Sequence, residues 1–150
     1  MKKILITLIV MMVLAGCGAS AMQETTLLPE PVLTIVNGDN ETIYTVQDLQ
    51  ALPSNVSSFN EIDYMGVSIK VLLEEVGVIL DDISAVKAVA TDGYSVNYEP
   101  TQLLPDDVLV AYSLADGNSM AEDEGIFRMV LPDQEGNQNL RMLSRIVIIP

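Results

Sequence analysis

The chain has 150 residues, of which 7 are Lys or Arg and 21 are Asp or Glu, and its formal net charge is −14. It contains no histidine and a single cysteine, Cys17. This composition removes the usual protein ligands of zinc, copper and haem, and it excludes Ser-His-Asp and Cys-His catalysis. Because so acidic a surface repels phosphate backbones, we expect no nucleic-acid partner.

The first 16 residues have the order of a secretory signal. Lys2 and Lys3 precede the apolar run Ile4–Leu14, and Ala15-Gly16-Cys17 follows it. The run has 11 residues, about 16 Å of helix, which is too short for a transmembrane helix in a bilayer core of roughly 30 Å. The ending resembles the lipobox of bacterial lipoproteins, in which the cysteine sulfur receives a diacylglyceryl group and becomes the mature N-terminus. The resemblance implies that Cys17 is the lipid attachment site and that the protein is extracytoplasmic, anchored to the bacterial membrane.

Residues 17–31 are predicted to be the lipidated N-terminus followed by a flexible tether. This stretch carries small and polar residues and two prolines, with little hydrophobic periodicity. Residues 32–150 then have a normal length for one domain with its own core. Anionic lipid headgroups repel an acidic domain, so a tether that holds it off the bilayer is consistent with its charge.

The first elements of the domain are a predicted hairpin and a short helix. The β-branched segments Val32–Val36 and Thr42–Tyr44 flank the turn sequence Asn37–Asn40, which favours a β-hairpin. Thr45–Leu52 is predicted to be a short helix, with its first residue as the N-cap and Asp48 three residues later.

A second helix and a series of strands follow. Ser68–Val76 has an apolar stripe at helical spacing, a serine as the predicted N-cap and Gly77 as the predicted C′ residue. Asp92-Gly93 predicts a type I′ hairpin turn, and Pro100–Leu104 a helical turn. Further strands are predicted at Ala85–Ala90, Tyr94–Tyr98, Asp107–Ser113, Phe127–Leu131 and Arg145–Ile149. The fold class expected from this order is α+β, a mostly antiparallel or mixed sheet with a few short helices.

Five segments in this order resemble the molybdopterin-binding domain of sulfite-oxidase-type oxidoreductases, in a shortened form. They are Tyr44–Leu49, Tyr64–Ile69 with Leu72–Glu74 and Gly77-Val78, Thr91–Ser95, Asp107–Tyr112 and Gly125–Pro132. The resemblance covers nearly all of residues 32–150 and implies that family's fold and, as its cofactor, molybdopterin. Within the second segment, Gly66 is expected to let the chain turn sharply into the helix that begins after Ser68.

The chain departs from the family at the metal ligand. The family holds its molybdenum through a cysteine thiolate in the loop before the turn at Gly66, whereas the corresponding stretch Asn55–Glu61 has no cysteine. Ser57 and Ser58 are the nearest candidates to stand in the cofactor site. A neutral hydroxyl is a poor substitute for a soft thiolate, so the metal ligand is expected to be lost.

The second departure concerns the cofactor's phosphate, which the family binds with basic side chains. Arg128 and Arg141 match positions where the family often carries such residues, and they are the predicted cofactor-binding cations. Two arginines among 21 acidic residues make a weak anion site. We therefore expect no tightly bound cofactor, although molybdopterin is the one that the resemblance implies.

Three other patterns have ordinary structural explanations. Asp133–Asn139 alternates oxygen ligands as a calcium loop does, but its glycine is fourth instead of sixth, which favours a solvated turn. Glu122–Glu124 is interpreted as an exposed acidic run. Tyr64, Tyr94, Tyr98 and Tyr112 are interpreted as core residues of strands instead of a ligand pocket. The orientation of Arg128, toward an acidic partner or toward a ligand, stays open.

The leading hypothesis is a lipid-anchored envelope protein whose molybdopterin-type domain has lost metal ligation and serves as a binding or accessory module, beside envelope redox proteins. One alternative is an active oxidoreductase that binds the cofactor through Arg128, Arg141 and backbone amides without a cysteine. Another is a purely structural envelope domain.

Overall fold

The computed structural model describes residues 30–150. Cys17, the predicted signal at residues 1–16 and the predicted tether up to residue 29 lie outside the described residues. Between residues 30 and 150, no helix has the length and hydropathy needed to cross a membrane.

The described chain forms nine strands, two short α-helices and four single turns of 3-10 helix. The strands are β1 (Leu33–Asn37), β2 (Asn40–Tyr44), β3 (Ser54–Phe59), β4 (Ile62–Ser68), β5 (Ala85–Ala90), β6 (Ser95–Tyr98), β7 (Leu109–Leu114), β8 (Arg128–Val130) and β9 (Leu143–Ile149). The helices are α1 (Val46–Gln50) and α2 (Ile69–Glu75). The 3-10 turns lie at Leu80–Asp82, Pro100–Leu103, Glu122–Glu124 and Gly136–Gln138.

The strands form two sheets. A five-stranded sheet has the order β2-β1-β9-β5-β6, in which β1 is parallel to β9 and the other pairs are antiparallel. A four-stranded sheet has the order β3-β4-β7-β8 and is antiparallel throughout. This architecture confirms the predicted α+β class with a mixed sheet and short helices.

The four-stranded sheet buries side chains on both of its faces. On one face, Val110 and Met129 are fully buried in the main core that the two sheets and α2 share. Because side chains alternate along a strand, Leu109 and Ala111 point to the other face, where they pack with Tyr64 in a smaller cluster. The candidate functional site lies beside this second face.

The predicted caps of the two helices form, with one exception at the start of α2. Thr45 and Asp48 form the complete capping box of α1. At the end of α2, Gly77 has a φ of +74°, and its N–H and that of Val78 donate to carbonyls of the last turn in a Schellman motif. Ser68 precedes α2 directly, but its hydroxyl makes no capping hydrogen bond, because β4 runs straight into the helix.

The hairpin of β3 and β4 differs from the sequence prediction, in which Asn55–Glu61 corresponds to a loop of the family. Its strands are joined at Asn60 and Glu61, which have φ values of 52° and 64°. Gly66 does not turn the chain into the helix. It lies within β4 at a register shift against β7, and a Cβ there would lie 2.2 Å from the carbonyl oxygen of Val110. This glycine serves the close approach of two strands.

The hairpin at Asp92-Gly93 exists, but its turn is not of the predicted type. A type I′ turn needs positive φ at both central residues, and only Gly93, at +87°, has it. The Gly93 N–H donates to the carbonyl of Ala90 at 3.0 Å. The loop is therefore a tight turn over Thr91 and Asp92 that is followed by a left-handed glycine.

Candidate functional site

Two adjacent cavities of about 360 Å³ each share the lining residues Gly136, Asn139 and Arg141, and we refer to them together as the Arg141 groove. The first cavity is also lined by Asp92, Tyr94, Asp123 and Asn137, and the second by Phe59, Asn60, Tyr64, Glu124 and Arg128. The residues come from the β3–β4 hairpin, from β8, and from the loops that precede β6, β8 and β9.

Arg128 lines the second cavity and is only 3% exposed. Its guanidinium pairs with the Glu124 carboxylate, which is 12% exposed. The guanidinium carbon lies 4.5 Å from the centre of the Tyr64 ring and 5.8 Å from that of Phe59. Thus the positive charge of Arg128 is already balanced by a partly buried carboxylate and two aromatic faces.

Tyr64 connects the two charges. Its hydroxyl donates to Glu124 Oε1 at 2.7 Å and accepts from Arg128 Nη1 at 2.9 Å. Burial and the hydrogen bond to Glu124 raise the pKa of Tyr64 to about 12. The phenol therefore stays protonated near neutral pH and acts as a hydrogen-bond donor within the site.

Arg141 is the exposed cation of the groove. Its side chain is 57% exposed and its Nη1 lies 2.5 Å from Asp123 Oδ2, on a carboxylate that is itself 70% exposed. An ion pair in such contact with water contributes little to stability. Arg141 is therefore the more available of the two arginines for a ligand.

Asn139 organises the loop that forms one wall of the groove. Although it belongs to the segment interpreted as a solvated turn, it is 3% exposed. Its Oδ1 accepts from the Leu131 N–H at 2.7 Å, and its Nδ2 donates to the carbonyls of Leu131, Gln134 and Glu135. The three residues before it, Gly136, Asn137 and Gln138, have no apolar side chain, so no hydrophobic periodicity points to this buried amide. Within residues 30–150, no three acidic side chains converge in a geometry suited to a metal ion.

The two predicted serines do not join the predicted arginines. Ser57 and Ser58 point to opposite faces of β3 because they are neighbours in a strand. Ser57 is 4% exposed and its hydroxyl has no hydrogen-bond partner among residues 30–150, whereas the exposed Ser58 bonds to Asp63. Neither serine lines the Arg141 groove, while Arg128 and Arg141 both line its second cavity.

Two structural interpretations need correction. Glu124 is not part of an exposed run, because it turns inward to Arg128, while Asp123 stays at the surface. Tyr94 is not a core residue, since it is 53% exposed in the loop before β6. Tyr98 and Tyr112 are buried as expected. The acidic partner of Arg128, which the sequence left open, is Glu124.

The charges of the groove do not add to a strong anion site. Its lining contains three carboxylates, Asp92, Asp123 and Glu124, against Arg128 and Arg141. The arrangement suits a polar ligand that offers hydrogen-bonding groups to both signs of charge, more than a multiply charged anion.

Comparisons with known proteins agree with this fold. The family model described as the oxidoreductase molybdopterin binding domain matches residues 32–150. The sulfane dehydrogenase SoxCD from Paracoccus pantotrophus is a similar solved structure, with a TM-score of 0.67 and 20% sequence identity. The similarity covers 79% of this chain and 38% of the SoxCD chain, and at this identity it shows the fold alone. No curated protein sequence matches this chain.

Proposed function

Because the chain belongs to the oxidoreductase molybdopterin-binding domain family over residues 32–150, we propose that it is a member without molybdenum ligation. In this proposal the domain is a binding or accessory module that works beside envelope redox proteins. The observation that carries the proposal is the pairing of Arg128 with Glu124.

The pairing of Arg128 with Glu124 disfavours binding of the cofactor's phosphate. Arg128 would meet an anion only after Glu124 withdrew, and the uncompensated carboxylate would then repel that anion in a poorly hydrated site. Arg141 is exposed and can approach a phosphate, but the Asp123 carboxylate that pairs with it would repel that anion. One exposed arginine among three carboxylates does not fit a cofactor with an anionic phosphate.

The side chains of the domain include no ligand suited to molybdenum. The chain's single cysteine is Cys17, outside residues 32–150, so the domain offers no thiolate to a molybdenum ion. The buried Ser57 hydroxyl has no hydrogen-bond partner in the described part of the chain, yet it does not line the groove and is a hard, neutral donor. The residues present therefore do not fit the metal centre of the family.

We also propose that Cys17 carries a lipid anchor, which places the domain outside the cytoplasm at the bacterial membrane. The support is the sequence of residues 1–17 and the acidic charge of the domain, which needs a tether to remain near anionic lipids. Mass spectrometry of the mature N-terminus tests this directly. A Cys17→Ser variant is expected to leave the membrane fraction, and retention there would contradict the anchor.

An active oxidoreductase that lacks a cysteine ligand is the second candidate, because Arg128 and Arg141 line the same cavity. Molybdenum and phosphorus analysis of the full chain, purified from a host that makes molybdopterin, separates the two candidates. We expect neither element in stoichiometric amount. Stoichiometric molybdenum would refute the accessory role and favour the oxidoreductase. If no small ligand raises the melting temperature either, a structural role is favoured.

A further inference from the structure

A second concave surface lies apart from the Arg141 groove, between the end of α2 and the chain that follows the 3-10 turn at Pro100–Leu103. Val78 and Leu80 form its buried part, while Ile79 and Leu104 are 62% and 48% exposed. Its volume is about 190 Å³. We call it the Ile79 cleft. It shares no lining residue with the groove.

The rim of the Ile79 cleft is acidic. Glu74 and Asp81 line it and are exposed. Lys70, the basic residue of its lining, lies 3.6 Å from the exposed carboxylate of Asp106. Lys70 counts as one positive charge against the two carboxylates of Glu74 and Asp81, so the lining has a net charge of −1, and Asp106 beside Lys70 makes the surroundings more negative. Two aliphatic side chains thus stand open to water within a negative potential.

The size and charge of the cleft restrict what can occupy it. Its volume is below the roughly 300–1,000 Å³ of ordinary small-molecule pockets, so it suits a side chain presented by a larger partner. Nucleic acid and anionic lipid surfaces are repelled by the carboxylates. A second copy carries the same net charge of −14 and is repelled as well.

We infer that the Ile79 cleft is a docking site for a protein segment that presents an aliphatic side chain flanked by Lys or Arg residues. The aliphatic group covers Ile79 and Leu104, and the flanking cations meet Glu74 and Asp81. Apolar contact supplies the affinity, and the charges speed the encounter and select the partner. This inference rests on the proposed accessory role and names its partner surface.

Fluorescence anisotropy of labelled peptides, titrated with the full chain in neutral detergent, tests the inference. The probes are Lys-Lys-Leu-Leu-Lys-Lys, the same peptide with serines in place of leucines, and Glu-Glu-Leu-Leu-Glu-Glu. We expect the first to bind at least about tenfold more tightly than the second, as loss of the buried aliphatic groups predicts. No binding of the third is expected. Equal affinity for the first two would overturn the inference.

Matched variants locate the binding. Ile79→Ser is expected to weaken binding of the leucine peptide about tenfold, whereas Ile43→Ser, at a residue 59% exposed on β2, leaves it unchanged. Glu74→Gln with Asp81→Asn is expected to weaken the binding and reduce its salt dependence, and Asp39→Asn with Asp133→Asn serves as the control. The inference would be overturned if the control double variant weakened binding as much as Glu74→Gln with Asp81→Asn. It would also be overturned if the unaltered chain self-associated and Ile79→Ser abolished that self-association. Because these assays contain no molybdopterin, their failure is distinguishable from failure of the proposed function, which elemental analysis tests.

Discussion

Arg128 of β8 reaches across β7 to Tyr64 of β4, where its Nη1 donates to the phenol oxygen at 2.9 Å. The strand between them carries Ala111 opposite Arg128 in register. Its small side chain leaves room for the arginine to lie over the sheet. The family resemblance assigns Arg128 to cofactor binding. In this chain its guanidinium is instead held inside the domain, by an ion pair with Glu124 and a hydrogen bond to Tyr64.

Removal of the Glu124 carboxylate should destabilise the domain. Glu124→Ala leaves the buried Arg128 charge uncompensated, and we expect the free energy of unfolding to fall by about 3–5 kcal/mol. Urea denaturation measures the loss. Glu122→Gln, in the same 3-10 turn but exposed, should change stability by less than about 0.5 kcal/mol. Equal stability of Glu124→Ala and the unaltered chain would contradict the pairing.

Neutralising Glu124 without removing its bulk should create anion affinity. In Glu124→Gln the Arg128 charge is no longer balanced, so inorganic phosphate is expected to stabilise this variant selectively. At ten times its Kd, phosphate should raise the melting temperature by about 6 °C. The unaltered chain and Glu122→Gln are the controls and should respond little. A similar shift in all three would mean that Glu124 does not govern anion binding.

Tyr64 should make stability depend on alkaline pH. An unfolded tyrosine ionises near its ordinary pKa of about 10, whereas the folded pKa of Tyr64 is about 12. Between these values the folded state binds more protons, so the contribution of Tyr64 is complete below pH 10 and is lost as the pH rises toward 12. Tyr64→Phe should lack this part of the decline. Urea unfolding across that range, with tyrosinate absorbance as a second reading, tests it. An unchanged pH profile in Tyr64→Phe would refute it.

A methyl group at Gly66 should disturb the contact between β4 and β7. The added Cβ would lie 2.2 Å from the Val110 carbonyl oxygen, and such overpacking costs about 1–3 kcal/mol or more. Thermal unfolding of Gly66→Ala should show a clearly lower midpoint. Gly136→Ala is the matched control, because its new Cβ would meet only the Phe59 ring edge at 3.9 Å. Equal midpoints for the two variants would show that the strands can separate at no cost.

Local patterns predicted much of the fold but not the β3–β4 hairpin. The capping box at Thr45 and Asp48 and the glycine after α2 depend on neighbours within one turn, so short spacings revealed them. Ser54–Phe59 has few β-branched or alternating apolar residues, and such a segment becomes a strand through its partners. Here the hairpin is held because β4 pairs with β7.

By itself, the sequence determined the α+β class, the family resemblance and the absence of histidine and of any cysteine beyond Cys17. These follow from composition and from periodicities within short segments. Only the tertiary structure decided that Arg128 pairs with Glu124 over Tyr64, that Arg141 stays exposed and that the serines lie elsewhere. Tyr64 and Arg128 are 64 residues apart in the chain. Such a contact depends on which strands become neighbours and on the face of the sheet from which each side chain projects.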